Sequence, residues 1–152
     1  MRLEELELVC TDAARDLARR EARPLPAAVV LPLPEATRIT TFPDFPDDDG
    51  ARHDLLRRFA EDVARPANAP CFGFVAEGSA ASETGPVDVV VVAFGARGHP
   101  PMVTAAPLSA EGPGEFSEAE ELDAAALPFL APLRHAVDAA TPPGAPRPPD
   151  LS

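Results

Sequence analysis

Val87-Asp-Val-Val-Val-Val-Ala-Phe94 runs directly into Gly95-Ala-Arg-Gly-His-Pro-Pro101 at the centre of the chain. Residues 89–94 are all apolar, so neither face of this segment is suited to contact with water. A strand with one face in solvent alternates apolar and polar residues, whereas a strand covered on both faces is a continuous apolar run. The stretch therefore predicts an inner strand of a sheet that is packed on both sides.

The length of the chain and the composition of its C-terminal end predict one domain followed by a tail. With 152 residues, the chain is the size of a single domain that buries about 70% of its unfolded surface. We expect that domain over residues 1–140. Five prolines occur in the last twelve residues, which favours an extended, disordered tail over residues 141–152. The Pro-x-x-Pro spacing in the tail is also typical of segments that dock on proline-binding partners.

The N-terminal third is predicted to form a helix followed by two strands. One helical stripe is formed by Leu3, Leu6, Cys10, Ala13 and Leu17. We expect this helix over residues 3–22, ended by Arg23-Pro24. Residues 27–33 form a second apolar run and predict another inner strand. Residues 36–42 resume a strand-like pattern around Ile39.

An acidic turn precedes the second predicted helix, which spans about residues 48–65. We expect Asp47 to cap this helix and Asp48 and Asp49 to lie in its first turn, where carboxylates favour the positive end of the helix dipole. A metal site fits these acids less well, because they lack the Asp-x-Asp-x-Asp-Gly order and the distant Glu of a calcium loop. The buried face of the helix is predicted to comprise Leu55, Leu56, Phe59, Ala60 and Val63.

Three consecutive strands and a final helix are predicted for the second half of the chain. The strands are expected at residues 71–77, 87–94 and 102–108, with a polar loop at 78–86, an exposed acidic loop at 109–123 and a helix at about 129–139. Prolines in and before the third of these strands lack amide donors, which favours an edge or irregular position for it.

The predicted order of elements is α-β-β-α-β-β-β-α, which is typical of the α+β class. We expect a single small domain with a sheet of about five strands, mainly antiparallel, and three helices, in which the last strands form an antiparallel meander. This order is similar to that of small roadblock-, longin- and profilin-like domains. The similarity is one of architecture alone, since no residue motif accompanies it.

The charge of the chain excludes several classes of function. The formal net charge is −12, with 25 acidic residues against 13 basic ones, and every basic residue is arginine. A phosphate-binding P-loop and Schiff-base chemistry both require lysine and are excluded. Duplex-binding proteins present a clustered basic face, so we expect no nucleic-acid partner. With no signal-peptide core and no apolar run of about 20 residues, we also expect no membrane partner and a cytoplasmic location.

The catalytic and metal-binding inventory of the sequence is poor. Cys10 and Cys71 lie in apolar surroundings, where thiols are inert, and two distant cysteines form no disulfide framework. No serine lies in a Gly-x-Ser-x-Gly elbow. The three histidines are 36 or more residues apart, and no Cys-x-x-Cys pair is present, so we expect no metal and no cofactor.

The best candidate for a site is the turn after the central strand. Arg97 and His99 are close together there, and Glu77 is expected nearby on a neighbouring strand, with Cys71 and Asp88 as outer members. Gly95 and Gly98 are expected to adopt positive φ, so that the turn presents amides and a guanidinium together to a carboxylate or phosphate. His99 is a candidate general base, the role that histidine most often takes in catalysis. The alternative is an ordinary connection between two strands, in which Arg97 serves solubility.

Three hypotheses of function follow. The first is a non-catalytic scaffold or regulatory domain that binds a protein partner or a second copy of itself, because more two-sided strand is predicted than a few short helices cover. The second is an anion binder or enzyme that uses Arg97, His99 and Glu77. The third, an acidic inhibitor that mimics a polyanion, is based on the net charge and on the absence of any basic residue from 109–123.

Overall fold

An antiparallel sheet with helices on both faces forms the core of the protein. The computed structural model describes residues 2–123 and 125–141. In these residues the elements are α1 (Leu3–Arg20), β1 (Ala27–Pro32), β2 (Thr37–Phe42), α2 (Asp49–Phe59), β3 (Cys71–Ala80), β4 (Val87–Ala96), β5 (Met102–Ser109), β6 (Gly112–Pro113), β7 (Glu120–Glu121) and α3 (Ala131–Asp138). The α+β class and the predicted order of the main elements are confirmed.

The strand order of the sheet is β2-β1-β3-β4-β5-β6, and β7 also pairs with β5. The longest pairing joins β3 to β4 over ten residues each, from Cys71 opposite Ala96 to Ala80 opposite Val87. Because β4 lies between β3 and β5, and β1 between β2 and β3, both apolar runs are inner strands as predicted. The succession β3-β4-β5 is the expected antiparallel meander.

The two faces of the sheet pack against different helices. On one face, which we call the α1 face, α1 covers a cluster that includes Val30, Val75, Val92 and Phe94. On the other face, the α2/α3 face, Leu56 of α2 and Leu133 of α3 pack over a second cluster. The sheet residues of that second cluster are Ala27, Val29, Leu31, Phe72, Phe74 and Ala93. Alternation along β3 therefore places its phenylalanines in one layer and Cys71 and Val75 in the other.

The first helix ends two residues earlier than predicted, at Arg20. Its buried stripe comprises Leu6, Cys10, Thr11, Ala14 and Leu17. Glu21 already has an extended backbone, and its amide donates to the carbonyl of Leu17 at 2.9 Å. The chain therefore leaves the helix before Arg23-Pro24.

The N-cap of α2 is Asp48, so the prediction of Asp47 is wrong by one residue. The carboxylate of Asp48 accepts from the amide of Ala51 at 2.8 Å. With several acids in succession, composition alone does not select which one has the extended backbone that a cap requires. The helical path continues through one π-helical turn at Ala60–Ala64, close to the predicted end at residue 65.

Two loops predicted around the meander contain strand residues. The strand β3 extends to Ala80, three residues into the loop predicted at 78–86. The segment 109–123 contributes β6 and β7, which raise the strand count from about five to seven. Phe116 of this segment packs on the α1 face, where the guanidinium carbon of Arg15 lies 4.9 Å from its ring centroid. The 109–123 segment is therefore a partly buried border of the sheet along β5.

The final helix follows a short 3-10 turn, Pro128–Leu130, which places both helix prolines where amide donors are not needed. Asn68 fixes the segment after α3, because its side chain exchanges two hydrogen bonds with the backbone of Thr141, at 2.8 and 3.1 Å. Residues 142–152 lie outside the described residues, and so does the prediction of a disordered tail. None of the helices in the described part of the chain has the length and apolar character needed to cross a membrane.

The close packing of α1 on β3 predicts that Gly73→Ala destabilises the protein. A Cβ atom at Gly73 would lie 2.3 Å from the Cys10 Sγ and 3.2 Å from the Cys10 Cβ. We expect Gly73→Ala to lower the free energy of unfolding by about 1–3 kcal/mol, measured by urea denaturation. Gly78→Ala, on the same strand, is the matched control, because its nearest atom is at 3.7 Å and only ordinary contact results. Equal stability of the two variants would contradict the packing described for α1.

Candidate functional site

The residues predicted to form one site lie at opposite ends of the sheet. Cys71 pairs with Ala96 beside the turn that carries Arg97 and His99, whereas Glu77 pairs with Val90. Six residues of strand separate Cys71 from Glu77, which corresponds to about 20 Å. The structure therefore brings Cys71 close to the turn and places Glu77 and Asp88 elsewhere.

The amides of the turn after β4 already have acceptors. The Arg97 amide donates to the carbonyl of Pro70 at 2.9 Å, and the His99 amide donates to the carbonyl of Ala96 at 3.0 Å. Gly98 has the expected positive φ, 78°, and its amide donates to the carboxylate of Asp138 at 3.2 Å. Because Asp138 occupies the position that an anionic ligand would take, the turn fastens α3 to the end of the sheet.

Gly95 has a different role from the one predicted. It lies inside β4 and does not adopt positive φ. A Cβ atom at this position would lie 2.8 Å from the Cε1 of Phe72. The glycine is therefore required by the neighbouring aromatic ring, and the freedom of the turn comes from Gly98 alone.

Glu77 and Asp88 form an ion cluster with Arg23, which lies three residues after the end of the first helix. The Arg23 Nη2 lies 2.7 Å from the Asp88 Oδ2 and 3.2 Å from the Glu77 Oε2. The Glu77 Oε1 also accepts from the amide of Leu25 at 3.1 Å. Hydrogen bonds to Glu77, and then to Asp88, raise the pKa of Arg23. The cluster fastens the segment after α1 to β3 and β4, and both Glu77 oxygens are used in doing so.

Both cysteines are buried free thiols. Burial, followed by the charge of Cys71, raises the pKa of the Cys10 thiol to about 12. Burial also raises the pKa of Cys71. A thiol held in its neutral form is a poor nucleophile, so the two cysteines act as core residues.

Among residues 2–123 and 125–141, no group of three or more His, Cys, Asp or Glu side chains is placed to hold a metal ion.

A groove that the sequence did not reveal lies on the α2/α3 face, at the end of the sheet where Glu77 lies. We call it the aromatic groove; its volume is about 600 Å³. Its aromatic and charged walls include Phe42, Phe45, Phe74, Phe129 and Arg52, and its floor includes Ala27, Ala76, Gly78 and Val91. Phe45 is central, with ring centroids of Phe42, Phe74 and Phe129 at 6.2, 5.6 and 5.8 Å. The groove therefore combines an apolar interior with a guanidinium in its wall.

Next to the groove, part of the α2/α3 face extends beyond the helices. We call this part the open sheet face; it consists of Gly78, Ala80, Val87, Val89, Val91, Val103, Ala105 and Pro107. All eight residues are half-buried or exposed, and none belongs to the buried cluster beneath α2 and α3. None of them is polar, so three adjacent strands present a continuous apolar surface.

Comparison of the chain with models of protein families, with curated proteins and with solved structures gave no match.

The buried thiols predict an alkaline loss of stability. The chain contains no lysine and no tyrosine, so the cysteines are the side chains that titrate between about pH 9 and 12. When unfolded, Cys10 has its ordinary pKa of 9.0, and when folded it has a pKa of about 12. The unfolded chain therefore loses its proton first, and stability should fall from pH 9 upward by up to about 1.4 kcal/mol per pH unit for each thiol.

Urea denaturation under reducing conditions at pH 8, 9, 10 and 11 measures this loss. The Cys10→Ala variant is the control, and its stability should depend less on pH over the same range. A wild-type stability that stays constant from pH 9 to 11 would show that the thiols ionise as readily in the folded protein.

The Arg23 cluster predicts that loss of the Glu77 charge destabilises the protein more than loss of the Asp88 charge. Glu77 is 17% exposed and accepts the Leu25 amide, whereas Asp88 is 59% exposed. We expect Glu77→Gln to reduce the free energy of unfolding by about 1 kcal/mol, and Asp88→Asn by less, because exposed ion pairs contribute little. Glu83→Gln in the adjacent exposed loop is the control. If Asp88→Asn has the larger effect in chemical denaturation, the assignment of Glu77 as the anchor of this cluster is wrong.

Proposed function

We propose that this protein is a non-catalytic binding domain that associates with a second copy of itself through the open sheet face. The observation that supports the proposal is the continuous apolar surface of β3, β4 and β5, whose residues are half-buried or exposed and lie outside the cluster beneath the helices. Large exposed apolar patches mark interaction sites on soluble proteins. A flat sheet face with small and β-branched side chains is suited to packing against another sheet face.

The distribution of charge favours the face of the sheet over its edges as the contact surface. The outer edge of β2 carries Arg38, and charged side chains on an edge strand oppose the addition of another strand. The outer edge of β5 is bordered by β6 and β7. The open sheet face carries no charge, so it is the part of this chain of net charge −12 where two copies approach with the least repulsion.

Two-fold symmetry supports a second copy as the partner. In a two-fold dimer each residue of the patch meets the same patch of the other subunit, so a patch made entirely of apolar residues is complementary to itself. We also propose a cytoplasmic location, supported by the two unpaired thiols of Cys10 and Cys71.

Self-association predicts a concentration-dependent change in mass that Val89→Asp prevents. Val89 lies in the middle of the open sheet face, and a carboxylate there would be buried in the interface without a cation to pair with. We expect sedimentation velocity to show a wild-type dimer and a dissociation constant at least tenfold larger for Val89→Asp. Added salt should strengthen the wild-type dimer, because it screens the repulsion between two acidic chains.

Ile39→Asp is the matched control, since Ile39 is a β-branched strand residue that is 37% exposed on the opposite face. It should leave the dimer intact. Circular dichroism establishes that each variant is folded, and Val89→Thr, which keeps the shape of valine, replaces Val89→Asp if the latter unfolds. A wild-type protein that remains monomeric up to millimolar concentration would overturn the proposal.

A further inference from the structure

We propose that the aromatic groove is a binding site for a small apolar molecule with a carboxylate group, and that Arg52 binds the carboxylate. This site borders the open sheet face proposed above for self-association, with which it shares Gly78 and Val91, and it is distinct from the turn that carries Arg97 and His99. The ligand of this groove is a small molecule. The aromatic side chains contact its apolar body, and the Arg52 guanidinium selects its negative charge.

The groove exists because the sheet beneath it carries small side chains. On the α2/α3 face, β3 places Phe72 and Phe74 under the helices and then Ala76 and Gly78 beyond them. Ala27 of β1 continues the same low floor. A volume of about 600 Å³ lies within the usual range for small-molecule sites, about 300–1,000 Å³.

Arg52 is held in a fixed orientation by its neighbours. Its guanidinium carbon lies 5.2 Å from the ring centroid of Phe45 and 5.3 Å from that of Phe129. Its Nε donates to the carbonyl of Pro46. Stacking on aromatic rings occupies the faces of a guanidinium and leaves its edge for paired hydrogen bonds to a carboxylate.

The remaining donors of Arg52 are weakly engaged by other described residues. The nearest acid to Nη1 is Asp49, at 4.0 Å, and its side chain is 66% exposed. An exposed pair at that distance contributes little, so a ligand carboxylate loses little by replacing it. Arg52 itself is only 28% exposed, which strengthens its attraction for an anion relative to a fully solvated arginine.

Three acids also line the groove, and their positions decide the sign of the ligand charge. Glu77 is already engaged, since it pairs with Arg23 and accepts the amide of Leu25. Glu21 and Asp47 are exposed, and water screens their charges. Arg52 is the cation of the lining and is more sheltered than Glu21 and Asp47, so with Glu77 engaged by Arg23 the groove favours an anionic head group over a cationic one.

Three probes that share one apolar body test this site: 4-phenylbutyrate, 4-phenylbutan-1-ol and 4-phenylbutylamine. We expect saturable binding of 4-phenylbutyrate to the full chain, followed by amide chemical shifts in NMR, with the largest shifts around Phe45, Gly78 and Phe129. The alcohol and the amine should bind at least tenfold more weakly, because neither can accept paired hydrogen bonds from Arg52.

Two variants locate the interaction. Arg52→Gln should weaken the binding of 4-phenylbutyrate at least tenfold and leave the alcohol unaffected. Arg57→Gln is the matched control, because Arg57 lies on the same helix, pairs with Glu61 at 3.6 Å and is outside the groove. Gly78→Leu should weaken all three probes, since a side chain from this position enters the groove and its Cβ meets only ordinary contacts.

Several results would overturn the proposal. These are no saturable binding of 4-phenylbutyrate by the wild type, equal or tighter binding of the amine, or equal affinity in Arg52→Gln and Arg57→Gln. Val89→Asp separates this site from self-association, because Val89 is outside the groove lining and the variant should retain carboxylate binding as a monomer. If Val89→Asp remains a dimer but carboxylate binding follows the expected pattern, only the proposed self-association is wrong.

Discussion

Burial of the central strands on both faces is the constraint on which the rest of the structure depends. The strands β1, β3 and β4 are apolar on both sides, so each face requires its own layer of helix. One face is covered by the single helix α1, which packs closely on the sheet because Gly73 allows Cys10 to approach the strand. The other face is covered by two shorter helices that reach over β1, β3 and one end of β4. The remaining part of that face is the open sheet face, and the aromatic groove lies at its border with the helices.

The fold was predictable where burial alone decides the residue pattern. The runs Val89–Phe94 and Ala27–Leu31 are both inner strands as predicted; the second is packed on both faces, whereas Val89 and Val91 of the first are only half-buried, so the predicted two-sided packing holds from Val92 onward. The errors arise where tertiary contacts decide instead. The strands β6 and β7 have two residues each, and their positions depend on pairing with β5, which no local periodicity records. The choice of Asp48 over Asp47 as N-cap likewise depends on one backbone angle within a run of acids.

The candidate site was less predictable, because proximity in the sequence and proximity in the sheet differ. Arg97 and His99 are close in the chain, and the turn between them was correctly expected to contain a glycine with positive φ. The antiparallel register then places Glu77 about 20 Å away and beside Asp88, so the two acids meet Arg23 and not Arg97. No composition rule identifies that partner, since 54 residues separate Arg23 from Glu77.

The difference between proximity in the sequence and proximity in space also explains why the sequence does not predict the aromatic groove. Its floor consists mainly of alanine and glycine, which carry no chemical signal, and its lining comes from segments as distant as Ala27 and Phe129. Small residues in a strand are usually unfavourable, because they pack little and lower strand propensity. Their concentration at Ala76, Gly78 and Ala80 nevertheless lowers the floor of the groove and flattens the adjoining open sheet face. Larger side chains at Ala76 or Gly78 would fill the groove, and larger side chains at Gly78 or Ala80 would roughen the open sheet face, so Gly78 contributes to both surfaces.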